Sequence, residues 1–476
     1  MSAVVAARDS AEFDPGSFRD RDSRVFRRGS GLYRALSETA LQDWRRLSAA
    51  SFLKHDMQTG RIVRTRLVDD VPPPRDARSG EDSGWAAVLE HDPLPFVSYP
   101  YEWCFGMLRD AALLHLDLLQ AALAEELILK DATPFNVQFR GVRPCFIDLG
   151  SFVQHHPAEP WIGYRQFCQT MLYPLMLQAY RGIDFQPWLR GRISGIAPGQ
   201  FVRLLSIRDW LRRGVLTHVV LHAALEGRAD REGKSTRQGL QQSGFNRSLI
   251  LANVSKLRRT VSRLSWQESG SAWSEYDAES EPVRQDAVAK EDFVGRVVES
   301  GRWKLAWDLG CNLGRYSRIA ARRAAHVVAM DFDHWTIERL YRDLGDEGQT
   351  LILPLVVNLA DASPGLGWRG AERRPLERRG RPDLILALAL IHHLVIRENL
   401  RLGELLEWFR LAGDRSVIEF VDREDPQVRS LLKNRTDGCE DYSRENFERE
   451  LRLRFDVLQT LDLPSGTRTL FDVRPR

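Results

Sequence analysis

Lysine is scarce in this 476-residue chain: only 7 of its 68 basic residues are Lys, the rest being Arg. Such lopsided usage reads more simply as a coding-composition bias than as phosphate recognition. Cysteine is scarce too. Cys104, Cys145, Cys168, Cys311 and Cys439 are widely separated and odd in number. No CxxC or Cys/His pairing at zinc spacing occurs, which excludes a disulfide framework and a structural zinc site. Charge of one sign is also lacking, with 68 basic against 65 acidic residues and a net charge of +3. That balance is too mild to imply a nucleic-acid or membrane partner. The longest apolar run, Leu384 to Ile391, falls far short of the ~20 residues that span a bilayer. The N-terminal MSAVVAARDSAEFDPG carries acidic residues where a signal peptide needs an apolar stretch. The expectation is a cytoplasmic protein without a membrane span.

What is present is globular: 43% hydrophobic and 28% charged residues, over a length that suggests two or three domains. Residues 181–264 hold 16 Lys and Arg against 5 Asp and Glu, read as a solvated basic face. Residues 267–286 reverse the balance to 6 acidic against 1 basic, with Ser and Gly interspersed. The boundaries expected are therefore an N-terminal domain over 1–264, an acidic linker over 265–287 and a C-terminal domain over 288–476.

From KLAWDLG onward, short apolar strands alternate with helical segments of about ten residues, the pattern of a parallel sheet covered on both faces. FDVLQTLDL and TRTLFDVR, joined by Pro464-Ser465-Gly466, predict a closing antiparallel hairpin. The fold class expected here is α/β, a doubly wound Rossmann-like sheet. The N-terminal part is α+β. RVFRR and LYRAL flank Gly29-Ser30-Gly31 as a hairpin, GRIVRTRLVDD reads as a strand, and Leu108 to Leu129 reads as one long helix.

The sharpest motif is WDLGCNLGRYS. A strand ends at Asp308, Gly310 and Gly314 make a tight strand-to-helix turn, and Asp331 closes the next strand 23 positions after Asp308. That distance suits a carboxylate facing ribose hydroxyls. The turn is not GxGxxG and no P-loop lysine is present, so a dinucleotide or phosphate reading loses its support. The Asp-x-Gly-x-x-x-Gly turn resembles the first motif of class I S-adenosylmethionine-dependent methyltransferases, over roughly residues 288–476. The resemblance implies S-adenosylmethionine as cofactor. Gly310, Cys311, Asn312 and Gly314 would surround its methionine part and Asp331 its ribose. Asn358 would stand at the adenine amino group, with Asp361 as a rival.

Methyl transfer needs alignment and at most one proton acceptor. His392 and His393, at the tail of LALALIHHL, are placed at the carboxyl edge of the sheet, with His393 the first candidate for a general base. Glu419 is placed in the same crevice, to hold an acceptor hydroxyl or amine or to pair with a nearby Arg.

A second motif lies at LKDATPFNVQFRGVRPCFIDLGSF. Asp131, Asn136 and Asp148 resemble the catalytic loop and metal-binding Asp of kinases and small-molecule phosphotransferases, with Lys130 where many have Arg. No Gly-rich loop accompanies them, and Lys54 is the sole lysine upstream. The resemblance implies a degenerate kinase-like domain, with Asn136 and Asp148 as metal ligands only if that site is active and no other metal site. Together with YPYEWCF, SPGLGW and IHHL, the chain resembles a long bacterial methyltransferase family, some of whose members sit among nodulation or surface-polysaccharide proteins. The expected activity is methyl transfer to a small-molecule or saccharide acceptor, which the N-terminal domain presents or recognises. A phosphotransferase with a regulatory C-terminal domain is the alternative, and a nucleotide-binding scaffold a third.

Overall fold

The computed structural model describes residues 11–74, 84–157, 159–225, 247–266, 281–433 and 441–476. Cys439 and residues 267–280 of the expected linker lie outside them. Helix Glu281–Glu299 begins inside the stretch expected as linker.

The C-terminal part is built on seven strands: β10 (Trp303–Leu309), β11 (Ala324–Asp331), β12 (Ile352–Val356), β13 (Leu384–Ala387), β14 (Ser416–Val421), β15 (Phe455–Asp462) and β16 (Arg468–Pro475). Their order is β12-β11-β10-β13-β14-β16-β15. The first five are parallel, and β16 runs antiparallel between β14 and β15. The doubly wound sheet and its closing hairpin are therefore present as expected. β12, β13 and β14 are buried along their whole length, which is why they carry apolar runs instead of alternation.

Two expected elements are shorter. The strand expected through LILALALI stops at Ala387, because Ala389 turns into the left-handed region at φ 49°. The helix expected over Leu108–Leu129 instead runs Phe105–Ala124 and ends where Glu126 adopts φ 61°. Leu127–Leu129 then forms a separate strand, β6, paired with β9 (Phe152–Gln154).

The N-terminal half opens with a five-stranded antiparallel sheet ordered β1-β2-β3-β5-β4. Its strands are β1 (Glu12–Phe13), β2 (Ser23–Arg28), β3 (Gly31–Leu36), β4 (Thr65–Val68) and β5 (Ala87–His91). The expected hairpin is β2 and β3, turning at Gly29 with φ 56°. Helix Phe105–Ala124 is the axis of this half and is buried on most of its residues. It continues into one hydrophobic core with the seven-stranded sheet. Among the described residues, no helix is long and apolar enough to cross a membrane.

Candidate functional site

The turn after β10 carries three residues with positive φ: Gly310 at 73°, Asn312 at 45° and Gly314 at 73°. The Gly310 and Cys311 N–H groups both donate to the Met330 carbonyl of β11, at 2.8 and 3.0 Å. A Cβ on Gly314 would sit 2.7 Å from Leu340 Cδ1, the movable end of a side chain on helix His334–Asp346, so it is mainly the positive φ that favours glycine here. Gly314 then caps helix Arg315–Ala320.

Asp308 and Cys311 lie beneath this turn and not on its open side. The Asp308 carboxylate accepts from Ser317 Oγ at 2.5 Å and is fully buried, and burial pushes its pKa up to about 7 against the pull of that hydroxyl. Burial likewise raises the Cys311 thiol well above its usual value, so it stays neutral.

Asp331 stands at the end of β11, half-buried. Its Oδ2 accepts from the Asn312 N–H and its Oδ1 from the Asp333 N–H, each at 3.0 Å. A carboxylate oxygen has capacity for a further donor, so both remain able to accept hydroxyls. Phe332 follows directly, its ring exposed and the Arg397 guanidinium 5.2 Å from its centre. One strand further out, exposed Asn358 caps a short turn by accepting the Ala360 N–H at 3.0 Å. Asp361, at the end of that turn, is gripped by Arg190 in a two-pronged pair of 2.8 and 2.9 Å.

Beyond β13 the two histidines separate in environment. They sit on the first turns of a helical segment and not on a strand tail. His392 is completely buried; burial, with the adjacent His393 adding to it, holds its pKa far below the usual value, and neither ring nitrogen has a hydrogen-bond partner among the described residues. His393 is half-buried, and burial, with Arg397 and Arg468 nearby, brings it down to about 4. Glu419 does not open onto a crevice. It lies within β14, fully buried, with Lys290 Nζ at 2.6 Å, Arg468 Nη1 at 3.4 Å and the Ala389 N–H donating to it at 2.8 Å. It braces the left-handed turn that leads into the histidines. Lys290 gave no local signal in the sequence, since its partner lies on a distant strand. Phe332 could have been found from its place beside Asp331.

In the N-terminal half, Asn136 Nδ2 donates to Ser151 Oγ at 3.0 Å, and that hydroxyl donates to Asp148 Oδ2 at 2.6 Å. Burial raises the Asp131 pKa and the Asp148 charge adds to it. The structure thus brings the Asn136 and Asp148 side chains together through Ser151, with Asp131 within electrostatic reach of Asp148. The cation facing Asp148 is Arg34 of β3, at 3.3 Å, while Lys54 is exposed on helix Ser51–Gln58. Among the described residues, no group of three or more His, Cys, Asp or Glu side chains could hold a metal ion.

Nodulation protein NoeA of Rhizobium meliloti (strain 1021) is 32% identical over 478 residues, covering 99% of this chain and 98% of its own length. The chain belongs to the NoeA family. No protein-family model matches it. Solved structures similar to part of the chain include the N-methyltransferase NodS from Bradyrhizobium japonicum WM9 with S-adenosyl-L-homocysteine, at 11% identity and a TM-score of 0.32, covering 43% of this chain and 96% of NodS. Another is the magnesium protoporphyrin IX methyltransferase ChlM from Synechocystis PCC 6803, at 17% identity and 0.31, covering 42% of this chain and 90% of ChlM. The bifunctional kinase-methyltransferase WbdD matches at 16% and 0.28, over 43% of this chain and 42% of its own.

Proposed function

We propose that the chain transfers a methyl group from S-adenosylmethionine to a small-molecule or saccharide acceptor at the carboxyl edge of the seven-stranded sheet. One observation carries this reading. The backbone of Gly310, Asn312 and Gly314 is turned to positive φ at the end of β10, and the Asn312 N–H is joined to the Asp331 carboxylate one strand away. That is a backbone cradle, bare of side chains at its two glycines, next to a hydroxyl acceptor, which fits the methionine and ribose parts of the cofactor. Gly310, Cys311, Asn312 and Gly314 would border the methionine part, the two glycines and Cys311 through backbone alone. Asp331 would take the ribose hydroxyls. Asn358 would meet the adenine amino group, since the Arg190 fork neutralises the Asp361 carboxylate and ties it to the N-terminal half. The exposed Phe332 ring offers a stacking face beside it. When bound, the cofactor supplies a methyl group already activated on a sulfonium.

The chain's own work is then alignment and proton removal. With its pKa lowered to about 4, His393 is neutral at pH 7 and can accept a proton from an acceptor hydroxyl or amine. His392 and Glu419 act through it, by packing and by bracing the Ala389 turn. A small acceptor is in keeping with a net charge of only +3.

For the N-terminal half we infer a kinase-like arrangement without phosphoryl transfer. What supports it is the Asn136–Ser151–Asp148 chain beneath a five-stranded sheet, together with an arginine where phosphotransferases need a nucleotide lysine.

Calorimetric titration of the full chain tests the main reading. S-adenosylmethionine and S-adenosylhomocysteine are expected to bind, and NAD and ATP-magnesium are not. Tight NAD binding with no response to S-adenosylmethionine would overturn it.

A further inference from the structure

Two loops flank the outer side of the proposed adenosine site. One follows β11 and carries Asp331, Phe332 and His334; the other follows β12 and carries Asn358 and Asp361. Both are held by one short segment of the N-terminal half. Arg190 forks onto Asp361, with Nη1 at 2.8 Å from Oδ2 and Nη2 at 2.9 Å from Oδ1, and Nη1 also donates to the Asp361 carbonyl at 3.2 Å. Asp184 Oδ1 lies 3.4 Å from His334 Nδ1, at the first residue of helix His334–Asp346, a contact that carries no hydrogen bond and becomes an ion pair when His334 is protonated.

The segment that supplies these contacts is fixed from behind. Helix Tyr173–Arg181 ends at Gly182 in the left-handed conformation, the usual geometry for reversing a chain out of a helix. Phe185 and Leu189 are buried in the core. Gln186 Nε2 donates to the Trp103 carbonyl at 2.8 Å, and Gln178 Nε2 donates to Asp184 at 3.3 Å. Arg190 and Asp184 therefore project from an anchored segment onto these loops, which Ser363 Oγ on Glu102 and Arg397 against Phe332 also support. A two-pronged guanidinium–carboxylate pair fixes direction as well as distance.

We propose that residues 182–191 are a cofactor clamp, in which Arg190 and Asp184 position the loops after β12 and β11 around the adenosine. This rests on the methyltransferase reading of the site. The N-terminal half thereby helps to build the cofactor pocket, with Arg190 and Asp184 as positioning residues that need not touch the ligand. Asp361 becomes the anchor of its loop and not an adenine ligand.

The experiment is titration of S-adenosylhomocysteine, with its dissociation rate, on the full chain and on Arg190→Ala, Arg190→Lys, Asp184→Ala and the exchanged pair Arg190→Asp with Asp361→Arg. Arg323→Ala, which breaks an exposed ion pair with Glu299 on another surface, is the control. Arg190→Ala is expected to weaken binding by roughly 3- to 10-fold, the range of a two-pronged pair near the surface, and mostly through faster dissociation. Arg190→Lys should restore part of the loss, and the exchanged pair more. Amide hydrogen exchange at 332–335 and 358–361 should quicken in Arg190→Ala. Failure of the unaltered chain to bind would strike the methyltransferase reading itself. Binding by the unaltered chain with Arg190→Ala unchanged, or a loss matched by Arg323→Ala, would overturn the clamp alone.

Discussion

Glu102 and Arg379, 277 positions apart, form a buried two-pronged ion pair at the joint between the two halves. The guanidinium nitrogens lie 2.6 and 2.7 Å from the carboxylate oxygens, and both side chains are almost fully removed from solvent. Ser363 Oγ and the Tyr99 N–H also donate to Glu102, and the guanidinium lies 5.1 Å from the centres of the Phe96 and Tyr99 rings. Arg379 Nη1 also donates to the Val97 carbonyl at 3.1 Å, and its Nε alone lacks a partner among the described residues, so most of the cost of burying the pair is met.

Breaking that pair is therefore expected to be costly. Arg379→Met should destabilise the chain by ~3–5 kcal/mol, because it strands a buried carboxylate. Glu102→Leu combined with Arg379→Met should recover much of the loss. Urea unfolding of both variants checks this; a double variant worse than the single one would show that the charges themselves carry the joint.

Asp331→Ala is expected to weaken S-adenosylhomocysteine binding by more than tenfold, since hydrogen bonds to a charged acceptor contribute ~1.5–3 kcal/mol. Asp331→Asn should lose less. Calorimetry measures both, and a thermal melt shows whether the turn through Asn312 has been kept.

At Gly314, alanine would place a Cβ 2.7 Å from Leu340 Cδ1 on a backbone at φ 73°. Gly314→Ala should cost about 1–3 kcal/mol in stability and more in cofactor affinity. Gly345→Ala, where a Cβ meets nothing within 4 Å, is the matched control for the measurement.

Acid should destabilise the fold through its buried histidines, opposed by Asp308, whose pKa raised to about 7 lets the folded chain take up one proton first. His115 is fully buried among Phe146, Trp161 and Phe167, and burial lowers its pKa to about 3; His218 and His393 are lowered to about 4. The unfolded chain binds their protons near pH 6.5 and the folded chain does not. The contribution is therefore complete above pH 6.5 and falls away as pH drops toward 4, by about 1.4 kcal/mol per pH unit for each histidine. Unfolding free energies at pH 7.5, 6 and 5 measure the slope. His115→Phe should flatten it, and an unchanged slope in that variant would count against the assignment.

Much of the C-terminal half could be read directly. Uninterrupted apolar runs such as LILPLVV and LILALALI can satisfy themselves only inside a sheet covered on both faces, and the glycine turn of WDLGCNLG needs backbone that other residues adopt at a cost. Residues local to one turn, Gly310, Asn312, Gly314 and Asp331, were accordingly legible together. The side-chain environments were not. Glu419 read as a group facing the crevice, but Lys290 and Arg468 reach it from a distant helix and strand and enclose it. His392 and His393, adjacent in sequence, differ because one turn of helix sends the first into the core and leaves the second half-buried. Asp361 read as a rival to Asn358, and its pairing with Arg190, 171 positions away, had no signal in the sequence. The sequence by itself determined the periodicities and the turns, which depend on neighbours along the chain. Only the tertiary structure decided which carboxylates and imidazoles are open to a ligand, because that depends on charges and burial supplied by residues from 49 to 171 positions away.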